Sequence, residues 1–293
     1  MSNGTPQVND PELLAQEREL VRRAVDGDKT ALEDVVRRLQ DPLYRLALRM
    51  TWRPADAEDA AQEILIRVVT RLATWRAEAR LLTWAYRVGV NYLLNLKRRT
   101  PQEAAGLSLD AFGEDLVVGL AAQDYAGPDA ELLAREVRLT CTQAMLQCLG
   151  RDERVAFVLG EVFDLPSADA AWVLDISPAA YRKRRERART RMRSFMDATC
   201  GLANPKAPCR CERRVTTAVA AGRVDPRRPA LATHPVTPGG RDLSRASAQM
   251  GLLHDAATVL RSHPDYAAPR ARTEAVLALL DSGRFPLLTE PGE

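Results

Sequence analysis

Aromatic residues make up only 5% of this 293-residue chain, and runs of β-branched residues are few. Half-buried strands draw on both kinds of residue. No strand pair stands out, so the chain reads as all-α. No apolar run reaches the roughly 20 residues that a membrane-crossing helix needs. The first residues, Met1 to Asp10, are polar and lack the pattern of a secretory signal. No membrane partner is expected, and the expected compartment is the cytoplasm. The 3 histidines all lie beyond residue 230, and there is no nucleophile–base set, phosphate loop or metal-ligand repeat. These absences point away from an enzyme. Five cysteines in a cytoplasmic chain are not expected to be structural disulfides. The net charge is only +3, so charge is informative locally rather than overall.

Helical periodicity runs through most of the chain. It divides into a first helical unit over 11–99, a linker over 100–128 that is acidic in its middle, a second helical unit over 129–199 and an extension over 200–293. In the first unit, helices are predicted over 12–25, 30–40, 42–52, 57–74 and 81–99, with Asp41 as a cap and 75–80 as a polar loop. The linker holds Pro101, Gly106, Gly113, Gly119, Gly127 and Pro128, and nothing more than a turn is expected near Ser108. In the second unit, helices are predicted over 129–149 and 152–163. The extension is expected to be irregular over 200–238 and helical over 241–262 and 270–282.

The densest local charge lies at the end of the second unit. Between Arg182 and Arg193 stand eight basic residues and one acidic one. Ser177 suits an N-cap and Pro178 the first helical position. Tyr181, Ala188, Met192 and Phe195 recur at helical spacing and form a stripe for burial. Just before it, 168–174 reads as a short amphipathic helix, joined through Asp175-Ile176-Ser177. A short helix, a tight turn and a basic helix make the layout of a helix-turn-helix, whose second helix enters the major groove by its N-terminal end.

In the first unit, Asp59, Gln62 and Glu63 share one helix face at spacings of three and four. Thr83-Trp84-Ala85-Tyr86-Arg87-Val88-Gly89-Val90-Asn91 and then Lys97-Arg98-Arg99 follow. This order, with a linker and a basic helix-turn-helix behind it, resembles the bacterial RNA polymerase sigma factors of the extracytoplasmic-function group, over about 31–196. The resemblance implies a promoter-specificity subunit that needs no cofactor. Its partners would be the clamp helices and flap of core RNA polymerase, and promoter DNA both as duplex and as non-template single strand. Asp59, Gln62 and Glu63 would dock on the clamp helices. Trp75, Arg76, Arg80, Arg87, Asn91, Lys97, Arg98 and Arg99 would serve promoter melting, where stacking and a basic track hold unpaired bases; Trp84 is assigned to the core. Arg182, Lys183, Glu186 and Arg187 would face the groove, and Ser177 and Arg184 would touch phosphate. Asp110, Glu114 and Asp115 fit the family's acidic connector.

Two positions depart from the family's pattern. Tyr181 stands for a small β-branched residue and Arg185 for leucine, so Arg185 must lay its stem along the core and send its head outward. The extension is also unusual. Cys200, Cys209 and Cys211, with Cys141 or Cys148, are candidates for a zinc site, a redox-sensitive dithiol or plain packing thiols. The extension could dock on the second unit and mask its DNA face, a self-regulation in place of a separate anti-sigma protein. The competing reading of the whole chain is an autonomous helix-turn-helix regulator that binds duplex DNA without polymerase.

Overall fold

The computed structural model describes residues 10–96, 106–237, 259, 261 and 263–282. The first unit is a bundle of α1 (Pro11–Val25), α2 (Lys29–Thr51), α3 (Pro54–Thr70) and α4 (Leu81–Leu94), with a 3-10 turn at Leu72–Thr74. Asp10 opens α1 by accepting the backbone N–H groups of Glu12 and Leu13, and Asp28 opens α2 through that of Ala31. Leu39, Leu43, Leu46, Ile64, Val68 and Val90 are buried between the helices. Burying side chains of this size contributes roughly 1.5–3 kcal/mol each. Gly89 is what brings α4 close: an added Cβ there would stand 3.3 Å from Ile64 and from Leu46.

The structure departs from two expectations. The predicted break at Asp41-Pro42 is absent, and α2 runs through Pro42. Burial of Leu39, Leu43 and Leu46 along one side of α2 outweighs the hydrogen bond lost at the proline. Asp41 is therefore no cap; its carboxylate accepts the Ala268 N–H and the Thr237 hydroxyl of the extension, both at 2.9 Å. In the linker, a full helix α5 (Leu109–Val118) replaces the expected turn. Ser108 caps it through Ala111, and Leu109, Phe112 and Leu116 are buried, Phe112 stacking on Phe195 at 5.9 Å. Asp115 faces Arg214 and Arg223, while Asp110 and Glu114 remain exposed.

The second unit contains α6 (Ala130–Gln147), α7 (Arg151–Phe157) continued by a π-helical turn at Val158–Val162, α8 (Ser167–Leu174) and α9 (Pro178–Thr199). The two units are fastened together by a buried arginine. Arg154 is only 1% exposed, and its guanidinium donates to the carbonyls of Leu146 (2.8 Å), Gln147 (3.2 Å) and Leu149 (3.1 Å) near the end of α6 and of Met50 (2.8 Å) at the end of α2. Carbonyls at helix ends lack intrahelical partners and carry partial negative charge, so one cation serves two helices.

The extension departs from its expected form. Residues 211–220 are not irregular but form α10 (Cys211–Ala220), whose Val215 and Ala218 pack on Leu133, Ala134 and Val137 of α6. The carboxylate of Glu136, on α6, then accepts the backbone N–H groups of Ala230, Leu231 and Ala232. The expected helix over 241–262 lies almost entirely outside the described residues. The last described helix, α11 (Arg270–Asp281), packs on α2 and α3 of the first unit, not on the DNA face of the second. Val276 and Leu280 on its apolar side are buried there, which places it away from α9.

Two histidines anchor this segment in neutral form. His234 stacks on Tyr44 at 5.3 Å, and His263 lies against Thr142 and edge-on to Tyr266. Burial lowers both pKa values, and for His263 the nearby Arg49 and Arg138 lower it further. The unfolded chain then takes up protons near pH 6.5 that the folded chain does not, so their contribution is intact above that pH and lost as pH falls. The thermal midpoint of the native chain should drop more between pH 7.5 and 5.5 than that of the His234→Gln/His263→Gln chain. Parallel pH profiles would refute the assignment.

Candidate nucleic-acid interface

The helix-turn-helix forms as its sequence dictates. Asp175 ends α8 in the left-handed region (φ 55°), and the Ile176 N–H closes the turn on Ala171 at 3.1 Å. Ser177 caps α9 through the Ala180 N–H at 3.2 Å, and Pro178 follows. Tyr181, Ala188, Met192 and Phe195 are buried, which turns Arg182, Lys183, Glu186 and Arg187 outward on the first turns. Hydrogen bonding from Arg189 holds the Glu186 carboxyl below its usual range, so it is an ionised acceptor. Arg184 lies 4.0 Å from Asp152, and Glu153 stands 4.0 Å from Arg187 and 2.6 Å from Arg191. Exposed pairs of this kind contribute about 0–1 kcal/mol and give way readily to phosphate.

The departures at Tyr181 and Arg185 have a shared structural answer. The Tyr181 hydroxyl donates to the Ala156 carbonyl at 3.3 Å, and Arg185 pairs with the buried Glu161 at 3.4 Å. Both large side chains cross Gly160, in the π-helical turn. A Cβ at Gly160 would lie 2.3 Å from the Tyr181 hydroxyl and 2.6 Å from the Arg185 Cδ. The glycine makes the room that a smaller pair would not need.

On the first unit, Asp59, Gln62 and Glu63 line one side of α3, but not freely. Arg272 of α11 reaches the Asp59 carboxylate at 2.8 Å, Glu58 at 3.4 Å and the Gln62 side-chain carbonyl at 3.2 Å. Glu63 pairs with Arg67 at 2.8 Å, and Arg67 lies over the Tyr92 ring.

The melting candidates do not all stand together. Trp75 is buried and its indole N–H donates to the Ala79 carbonyl at 3.0 Å, so it holds the loop instead of offering a stacking face. Arg80 is likewise engaged, making a bidentate pair with Glu17, which also accepts the Leu81 N–H. Arg87 turns toward the second unit, donating to the Trp172 carbonyl (3.1 Å) and Asp175 (2.8 Å) with the Trp172 ring beneath it. Arg76 and Asn91 are exposed. Lys97, Arg98 and Arg99 lie outside the described residues. Arg76, Trp84, Arg87 and Trp172 instead line a common groove. Trp172 was hidden from sequence reasoning because its partner is 85 residues away in the chain.

Cys200, Cys209 and Cys211 lie close enough to Cys141 to raise its thiol pKa further beyond the effect of burial, whereas Cys148 sits apart near Arg154 and Arg191. Cys200 and Cys209 are paired by a backbone bridge. Among the described residues no group of three or more His, Cys, Asp or Glu is arranged to hold a metal ion. Burial pushes the Cys148 and Cys209 thiols up to about 11, and those of Cys141, Cys200 and Cys211 upward as well. A raised thiol holds little thiolate at neutral pH, and the thiolate is the reactive form.

Family models match both units: Sigma-70 region 2 over residues 35–101 and Sigma-70, region 4 over residues 139–192. The chain is 30% identical over 177 residues to the RNA polymerase sigma-H factor of Pseudomonas aeruginosa, covering 59% of this chain and 90% of the relative. It belongs to the ECF RNA polymerase sigma factors. To the ECF RNA polymerase sigma-E factor of Haemophilus influenzae it is 33% identical over 174 residues, covering 58% of this chain and 89% of that one. The sigma-E factor of Escherichia coli K12 is 30% identical over 175 residues, with 58% and 88% covered. This ECF sigma factor is a promoter-specificity subunit of RNA polymerase, and the autonomous-regulator reading is not favoured. No described helix is long and apolar enough to cross a membrane.

Two outcomes follow from this geometry. Gly160→Ala should destabilise the protein by about 1–3 kcal/mol through overpacking, although alanine is the better helix former; an unchanged or higher melting temperature would show that the seat of α9 is not tight. At pH 8 a thiol of pKa about 11 is about 0.1% ionised, so Cys148 and Cys209 should react with iodoacetamide about 100-fold more slowly than free cysteine. Peptide mass spectrometry reads this, and fast labelling in the folded state would overturn the assigned environment.

Proposed function

We propose that α9 reads the minus-35 promoter element, and that the first unit docks on the polymerase clamp helices and melts the minus-10 element. The observation that carries this is the exposed set Arg182, Lys183, Glu186 and Arg187, projected from the capped N-terminal half of a helix whose other side buries Tyr181, Ala188, Met192 and Phe195. Arginine pairs with guanine edges and Glu186 can accept from cytosine N4. Ser177 and Arg184, beside the helix start, supply phosphate contacts that fix register. On the first unit, Asp59, Gln62 and Glu63 form the docking face. Exposed Arg76 and Asn91, with Arg87 once it is released from Trp172 and Asp175, would hold the separated strand; Lys97, Arg98 and Arg99, outside the described residues, are assigned to the same task by sequence alone. The division of labour follows 11–99 for docking and melting, 129–199 for duplex recognition and 200–293 for regulation. The sigma factor supplies no chemistry of its own; the polymerase does. Melting follows from binding the open promoter better than the duplex.

Elements centred about 10 and 35 base pairs upstream are separated by roughly 25 pairs, or about 85 Å of duplex. The packing through Arg154 and Arg87 holds the units far closer than that. On this reading the packing through Arg154 and Arg87 is a closed form, from which the units part on promoter binding.

Run-off transcription with core polymerase tests the reading. Arg182→Ala should cost about 1–3 kcal/mol at one minus-35 base pair and relax its specificity, while Lys183→Ala should weaken binding across promoters. Binding of duplex promoter without polymerase, as tight as with it, would contradict the proposal.

A further inference from the structure

We infer that the C-terminal segment ending in α11 is a built-in competitor of core polymerase for the Asp59–Gln62 face of α3. The inference rests on the docking role proposed for that face. Three sets of contacts carry it. Arg272 places one guanidinium between Glu58, Asp59 and Gln62, so the groups that would meet the polymerase already have a cationic partner. Val276 and Leu280 of α11 are buried against α2 and α3, and the Thr273 hydroxyl donates to the Gln40 side chain. The path to α11 is pinned as well. Glu136 holds the backbone at Ala230–Ala232, Asp41 holds Thr237 and Ala268, and Arg45 stands 3.6 Å from Asp265.

The contact is built to be reversible. The Arg272 and Asp59 side chains keep 41% and 70% of their exposure, so their pairing exchanges with solvent. Only Thr273, Val276 and Leu280 are buried among the residues described for α11. An apolar contact of that size selects register without locking the helix down. Polymerase affinity is then divided by the fraction of chains in which α11 has left, so weakening α11 raises apparent affinity.

Titration of core polymerase with the full chain tests this. Arg272→Glu should bind core about tenfold more tightly, as expected if about a tenth or less of the native chain is open. The Gln40→Cys/Thr273→Cys chain, oxidised with diamide, should bind at least tenfold more weakly, with affinity restored by reductant; the native chain treated identically is the control. If Arg272→Glu binds no tighter and the bonded pair binds like the native chain, self-masking is overturned. Asp59→Ala, placed in the Arg272→Glu chain, addresses the docking reading separately. Weaker core binding supports that reading, and unchanged binding overturns it whatever α11 does.

Discussion

The structure turns on one buried cation. Arg154 leaves water and, in exchange, receives the terminal carbonyls of two helices from two different units. Burial of an unpaired charge costs several kcal/mol, so the arrangement holds only while α2 and α6 both end at that point. The requirement fixes the distance between the units. It also sets α4 beside α8, where Arg87 crosses to Trp172 and Asp175. A neutral side chain of similar volume would leave four carbonyls without these bonds and would remove the reason for the two helices to converge.

The extension uses the opposite chemistry to the same end. Glu136 and Asp41 are carboxylates on helices of the two units; Glu136 accepts the backbone N–H groups of Ala230, Leu231 and Ala232, and Asp41 accepts the Ala268 N–H and the Thr237 hydroxyl. Burial raises the Glu136 pKa, and the N–H groups it accepts pull it back down. The chain therefore crosses from the second unit to the first on carboxylate anchors and delivers Arg272 to an acidic helix face. Charge complementarity sets where α11 lands, and the few buried side chains set how tightly it stays.

The elements whose signals are local were legible in the sequence. Ser177, Pro178 and the stripe of Tyr181, Ala188, Met192 and Phe195 specify α9 by capping and period alone, and the described structure follows them. Asp59, Gln62 and Glu63 fall on one helix face as their spacing requires. What escaped depends on distant partners. Proline and a cap-like Asp41 read as a break because the burial of Leu39 and Leu43 is invisible in a local window. Helix α5 escapes a local reading because Gly113 and Gly119 mask Leu109, Phe112 and Leu116, whose burial depends on elements distant in the chain, α9 among them. Trp75 looked available for stacking because its hydrogen bond to Ala79 is a property of the folded loop. The landing place of α11 depends on Arg272 meeting three side chains more than 200 positions earlier.

On the proposed reading, this closed chain opens when it joins polymerase. The direct measurement is the distance between fluorophores on Arg18 of α1 and Ser194 of α9, both exposed and outside the proposed DNA contacts, in the free chain and in the complex with core polymerase and promoter. A short distance is expected in the free chain, and in the complex a separation longer by tens of ångströms, toward the roughly 85 Å between the two promoter elements. An unchanged short distance in a transcribing complex would contradict it.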